Sequence, residues 1–194
     1  EWPGHEYAAD HSDEEIEKIK SHFDYVINDV LNSLVQENPN LKIIPFPMCT
    51  NHIGGDDRWY YRKLFRESAI KENISYEYLN SEVSPDRAVE VFNNATACLA
   101  MRYHSMVFCA GLGVPVVGID YTLGKGKVAF LADRIGAACH RIDSVTHDGL
   151  VGDLLGVIKQ KNGARENALG HPEFKDKFRN SLYENGVVLE GWLG

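Results

Sequence analysis

Arg102 and His104, two positions apart and followed by Ser105, are the residues of this chain best suited to chemistry. A guanidinium offers a rigid fork of donors for phosphate or carboxylate, and an imidazole exchanges its proton near neutral pH. They lie within Ala97 to Asp120, ACLAMRYHSMVFCAGLGVPVVGID. There a short apolar strand runs into Arg102-Tyr103-His104-Ser105, and an apolar helix closed by Gly111 and Gly113 follows. A second apolar strand, Val114 to Ile119, completes a βαβ crossover, which implies a parallel sheet. The polar cluster therefore falls at the carboxyl end of a strand and on the first turn of a helix. Open α/β sheets take ligands at that edge, and the unpaired amides and dipole of a helix N-terminus favour an anion there. Either residue alone is as well explained by a surface ion pair or a satisfied polar contact. Two cationic donors together at a sheet's ligand edge point to a phosphate or carboxylate site.

The elements that must hold this site are legible on both sides of it. Ser12 or Asp13 caps a helix in which Ile16, Ile19, Phe23, Val26, Ile27, Val30, Leu31 and Leu34 recur at helical spacing to about Glu37. Asn38-Pro39-Asn40 breaks it, and Leu41 to Phe46 reads as a short strand. The Gly-rich loop Met48 to Asp57 follows on the Arg102 edge, which adds His52 and Asp56 as weaker site candidates. Asp56-Asp57 opens a helix to about Glu72, and a strand is expected around Ser75 to Leu79. Ser84-Pro85 has the form of an N-cap followed by proline at the first helical position. After Asp120 the loop YTLGKGK leads to a helix from about Val128, ended by Gly136. A strand near Ala138 to Ile142 and a helix near Val145 to Lys161 continue the βαβα alternation of a doubly wound, Rossmann-like parallel sheet. The expected division is a Rossmann-like domain over 1–163 and a helical extension over 164–194.

Bulk properties narrow the function. The chain has 194 residues, 44% hydrophobic and 25% charged, as in an ordinary soluble globular protein. A net charge of −8, from 20 basic and 28 acidic residues without a basic run, argues against binding nucleic acid over a broad surface. No apolar run approaches the length of a membrane span, and the amino terminus lacks the form of a signal peptide. Cys49, Cys98, Cys109 and Cys139 fit no paired metal or redox spacing, so a reducing cytoplasm is the expected setting. The eight scattered histidines likewise give no metal-ligand pattern, and none is expected. Gly118 and Gly124 are six positions apart where a phosphate-binding P-loop requires five, and Gly126 stands where Ser or Thr would follow the Lys. Ser105 has no nucleophile-elbow context.

With Arg102-Tyr103-His104, then AGLGVPVVGIDY, then Lys127-Val128-x-Phe130 and Ile135-Gly136, the chain resembles the polysaccharide pyruvyl transferase family from about Lys42 to Gly136. Members carry Arg-x-His at a strand-to-helix junction, a Gly-x-Pro strand ending near Tyr, and a Lys opening the next helix. Position 103 is Tyr where Leu is more usual. Extra residues between Tyr121 and Lys127 leave both Lys125 and Lys127 as candidates for the family's Lys.

The resemblance implies a GT-B-like enzyme of two Rossmann-like domains, of which this chain is the carboxyl-terminal, donor-binding half. The amino-terminal domain and a further donor-holding Arg would then lie upstream of Glu1. The implied reaction moves a pyruvyl group from phosphoenolpyruvate to a glycan or lipid-linked sugar as a ketal, in cell-surface or exopolysaccharide biosynthesis, with no cofactor. Arg102 and His104 are the implied catalytic residues, with Tyr103, Ser105, Lys125 and Lys127 as further donor contacts. Two other readings stand beside it. One is a nucleotide-sugar glycosyltransferase or epimerase of GT-B architecture, with Asp120 or Asp143 on the ribose. The other is a non-catalytic anion- or sugar-binding module.

Overall fold

The computed structural model describes residues 5–51 and 55–163. The expected extension over 164–194 lies outside the described residues. Helix α1 spans Asp13–Glu37 and starts with a reciprocal capping box: Ser12 Oγ accepts from the Glu15 amide, and the Glu15 carboxylate accepts from the Ser12 amide at 2.8 Å. Its buried stripe is Ile16, Phe23, Val26, Ile27, Val30 and Leu34, as the helical spacing requires. α2 (Asp57–Leu64) and α3 (Pro85–Asn94) follow, the latter capped by Ser84 with Pro85 in its first turn.

Among the described residues, three parallel strands form the sheet in the order β1-β2-β3: β1 Cys98–Ala100, β2 Val116–Asp120 and β3 Cys139–Arg141. Between them run α4 (Tyr103–Leu112) and α5 (Lys127–Ile135), and α6 (His147–Gly163) closes the series. All five residues of β2 are buried, as befits a central strand covered on both faces. Its side chains alternate: Val116 packs among α4 and α5 residues, whereas Val117 and Ile119 enter the core formed with α1 and α6. The molecule is therefore α/β, with helices on both faces of a parallel sheet. Within the described residues the strands progress in one direction, so adjacent strand ends, not a reversal of strand order, position the site.

Two expected strands are not formed. Leu41 to Phe46 contributes only an isolated parallel bridge, Ile43 to Ile74, with amide-to-carbonyl distances of 2.8 Å on either side. Pro45 and Pro47 carry no amide proton and so stop the ladder. The second segment ends in a 3-10 turn, Glu77–Leu79. The α2 helix also stops earlier than its expected end near Glu72. Phe65 and Ile70 are both buried in one core. A continuing helix would set them roughly 140° apart, so the chain bends to bury both.

Candidate functional site

The site grows from two neighbouring strand ends. β1 and β2 pair in register, Ala100 beside Gly118, and each leads into a helix on the same face of the sheet. Arg102 is the N-cap of α4 and Gly126 the N-cap of α5, and neither supplies a side-chain cap. Two packed helices thus begin side by side with first-turn amides that no cap side chain engages. Lys127 is the first residue of α5. Its ammonium lies 5.8 Å from the centre of the Tyr103 ring, and the His104 ring meets Tyr103 edge-on at 6.0 Å. Tyr103, His104 and Lys127 are exposed, whereas Ser105 is buried. The structure therefore brings Arg102, Tyr103, His104 and Lys127 to one edge.

Lys125 turns elsewhere, donating to the Tyr7 carbonyl at 3.1 Å with Asp10 at 3.5 Å. Asp56 caps α2: Oδ1 accepts from the Arg58 amide at 2.9 Å, and the Arg58 guanidinium grips the same carboxylate at 2.7 Å. His52 lies outside the described residues.

The neighbour of Asp56 is the residue that sequence reasoning passed over. Asp57 Oδ1 accepts from Arg102 Nη2 at 2.6 Å and Nε at 3.2 Å, while Oδ2 accepts from the amides of Met48 and Cys49 at 3.0 and 2.9 Å. Burial alone would lower the Arg102 pKa, but the hydrogen bonds and attraction of Asp57 more than offset this and hold it above its ordinary value. The available signal was the acidic pair itself. Asp56 takes the capping role, so the second carboxylate is free for another partner.

The loop from β2 to α5 is organised by a different carboxylate. Asp120 is fully buried, and its oxygens accept from the Thr122 amide at 3.0 Å, the Thr122 hydroxyl and the Gly124 amide at 2.6 Å. Leu123 and Gly124 both have positive φ, 55° and 85°, in the turn closed by the Lys125 amide on the Thr122 carbonyl. A side chain at Gly126 would collide with Thr122. These glycines shape the connection between Tyr121 and Lys127. Asp120 is thereby engaged by its own loop, and Asp143 is paired with Arg141 at 2.6 Å. Both carboxylates therefore already have partners within the fold.

No group of three or more metal-ligating side chains occurs among the described residues. All four cysteines are free thiols. Burial, with the nearby charge of Asp120, pushes the Cys139 thiol up to about 11, which does not suit a nucleophile. No described helix is long and apolar enough to cross a membrane.

A family model described as polysaccharide pyruvyl transferase matches residues 5–122, more than half of the chain. The match includes Asp57 and the Arg102 to Ser105 cluster, reaches further toward the amino terminus than the resemblance read from motifs, and stops before Lys127. No curated protein and no solved structure matches the chain.

Proposed function

We propose that this chain, which belongs to the polysaccharide pyruvyl transferase family, binds phosphoenolpyruvate at the shared start of α4 and α5 for ketal transfer to a sugar. The observation that carries this reading is the placement of Arg102, His104 and Lys127 at the neighbouring starts of two helices without side-chain caps. Phosphoenolpyruvate bears a phosphate and a carboxylate, and both groups are matched by guanidinium, ammonium and helix-end amides.

Ketal formation requires a proton on the terminal enol carbon, loss of protons from two sugar hydroxyls, and departure of phosphate from the carbon that becomes the ketal centre. His104 is exposed at that edge and is suited to hydrogen-bond the phosphate and to assist its departure when protonated. Arg102 orients the anion and Lys127 adds charge. The same reading places a companion domain across the crevice, as in GT-B enzymes, to supply the acceptor site and a further cation. It sets the reaction in the cytoplasm, in the assembly of cell-surface or exopolysaccharides, and requires no cofactor.

Ligand-dependent melting tests it. Phosphoenolpyruvate should raise the melting temperature, uridine nucleotides should not, and Arg102→Lys should weaken the shift, because ligand binding to the folded state stabilises it. A shift with uridine diphosphate and none with phosphoenolpyruvate would return the site to the nucleotide-sugar reading.

A further inference from the structure

The geometry points to Asp57 as a positioning residue that fixes the Arg102 guanidinium by one edge and leaves Nη1 to meet the donor. This rests on the phosphoenolpyruvate reading of the site. Arg102 and Asp57 are 45 positions apart, and their side chains are 21% and 15% exposed. Arg102 is anchored at its base by the N-cap position of α4. Its tip is anchored by Nε and Nη2 on Asp57 Oδ1, and Nη2 also lies 3.4 Å from the Gly55 carbonyl.

Asp57 is itself immobilised. Its Oδ2 holds the Met48 and Cys49 amides, and its own amide donates to the Cys49 carbonyl at 2.9 Å. With both ends held, a side chain that would otherwise sample many rotamers presents one orientation. Of the five N–H donors of a guanidinium, the two on Nη1 make no hydrogen bond to a described residue.

The pairing has an electrostatic consequence. Arg102 and Asp57 together carry no net charge, so the attraction for an anion falls to Lys127 and the helix ends. Arg102 then contributes direction: it discriminates between anions by shape more than by charge. Removing the Asp57 charge should therefore leave binding of a simple phosphate undiminished, while the preference for phosphoenolpyruvate over phosphate falls.

The test compares the unaltered chain with Asp57→Asn. Calorimetry with phosphoenolpyruvate and with inorganic phosphate reads the preference, and the Nε–Hε NMR signal of Arg102, assigned by its disappearance in Arg102→Lys, reads the bracket. In Asp57→Asn the signal should lose its downfield position and its protection from exchange. The preference should fall by about 10–100-fold, the loss expected for one charge-assisted hydrogen bond, with phosphate binding no weaker. A retained signal overturns the bracket, and a lost signal with an unchanged preference overturns its role toward the donor. Equal weakening of both ligands in step with a lower melting temperature overturns it in favour of a purely structural carboxylate. Should Asp57→Asn not fold, Asp57→Glu, which moves the charge by one methylene, should shift the signal and reduce the preference, and no change in either overturns the proposal. If the unaltered chain shows no preference for phosphoenolpyruvate, the pyruvyl reading fails and the signal alone decides the bracket.

Discussion

Two regions of the molecule place histidine near charged groups, and they use it differently. In the seam between α1 and α6, His22 Nε2 lies 2.9 Å from the Val145 carbonyl and His147 bridges Ser33 and Asp148 at 2.8 Å each, while on β3 beside it His140 meets Asp153 at 2.8 Å. At the shared start of α4 and α5, His104 is exposed and makes no hydrogen bond to a described residue. Ser33, His147 and Asp148 even have the spacing of a nucleophile relay. Yet Ser33 lies within α1, where the surrounding amides are taken up by intrahelical bonds and cannot hold an oxyanion, and Asp148 is 99% exposed. A histidine held by partners from its own fold is a fastener. One left at an edge beside a cation and a helix end is available to a ligand.

The largest effect should separate the two regions outright. His104→Ala should lower turnover by about 10²–10⁴-fold with an unchanged melting temperature. Steady-state kinetics and a thermal melt on the same sample decide it, and normal turnover with lower stability would make His104 a fastener too. The reverse pattern belongs to the seam. Leu150 is fully buried in the α1–α6 core, so Leu150→Ala should cost about 2–5 kcal/mol in a urea titration while phosphoenolpyruvate affinity of the folded fraction is retained.

Gly126→Ala sharpens the boundary between the regions, because it lies in the loop that leads to Lys127 yet acts by packing. The added methyl collides with Thr122 and should cost about 1–3 kcal/mol. It should also weaken donor binding by displacing the start of α5, which calorimetry would detect. The smallest effect is expected at His147→Ala. Loss of its hydrogen bonds to Ser33 and Asp148 should cost about 0.5–1.5 kcal/mol, read by denaturant midpoint, with turnover unaltered. A turnover defect there at full stability would break the comparison.

What was legible beforehand was local. The Ser12–Glu15 box, the apolar stripe of α1, Ser84-Pro85 at the start of α3, and Gly113 and Gly136 in left-handed conformations at two helix ends all follow from neighbours within one turn. So did the placing of Arg102 and His104 where a short apolar strand gives way to a helix. Pairing with distant chain is not legible in this way. Leu41 to Phe46 has the residue types of a strand, and its prolines allow it a single bridge.

The chain's residue order determined by itself the α/β alternation, most helix ends and the junction that carries Arg102, because hydrogen bonds and apolar spacing within a few residues suffice for those. Only the tertiary structure decided that Asp57 and not Asp56 would meet Arg102, that Lys127 and not Lys125 would lie beside Tyr103, and that His140 and His147 would become fasteners. Adjacent acids, or lysines two apart, are nearly equivalent to the local backbone. Packing of α2, α4 and α5 around the sheet makes them distinct, because it fixes which member of each pair lies within hydrogen-bond or ring-contact reach of a side chain far away in sequence.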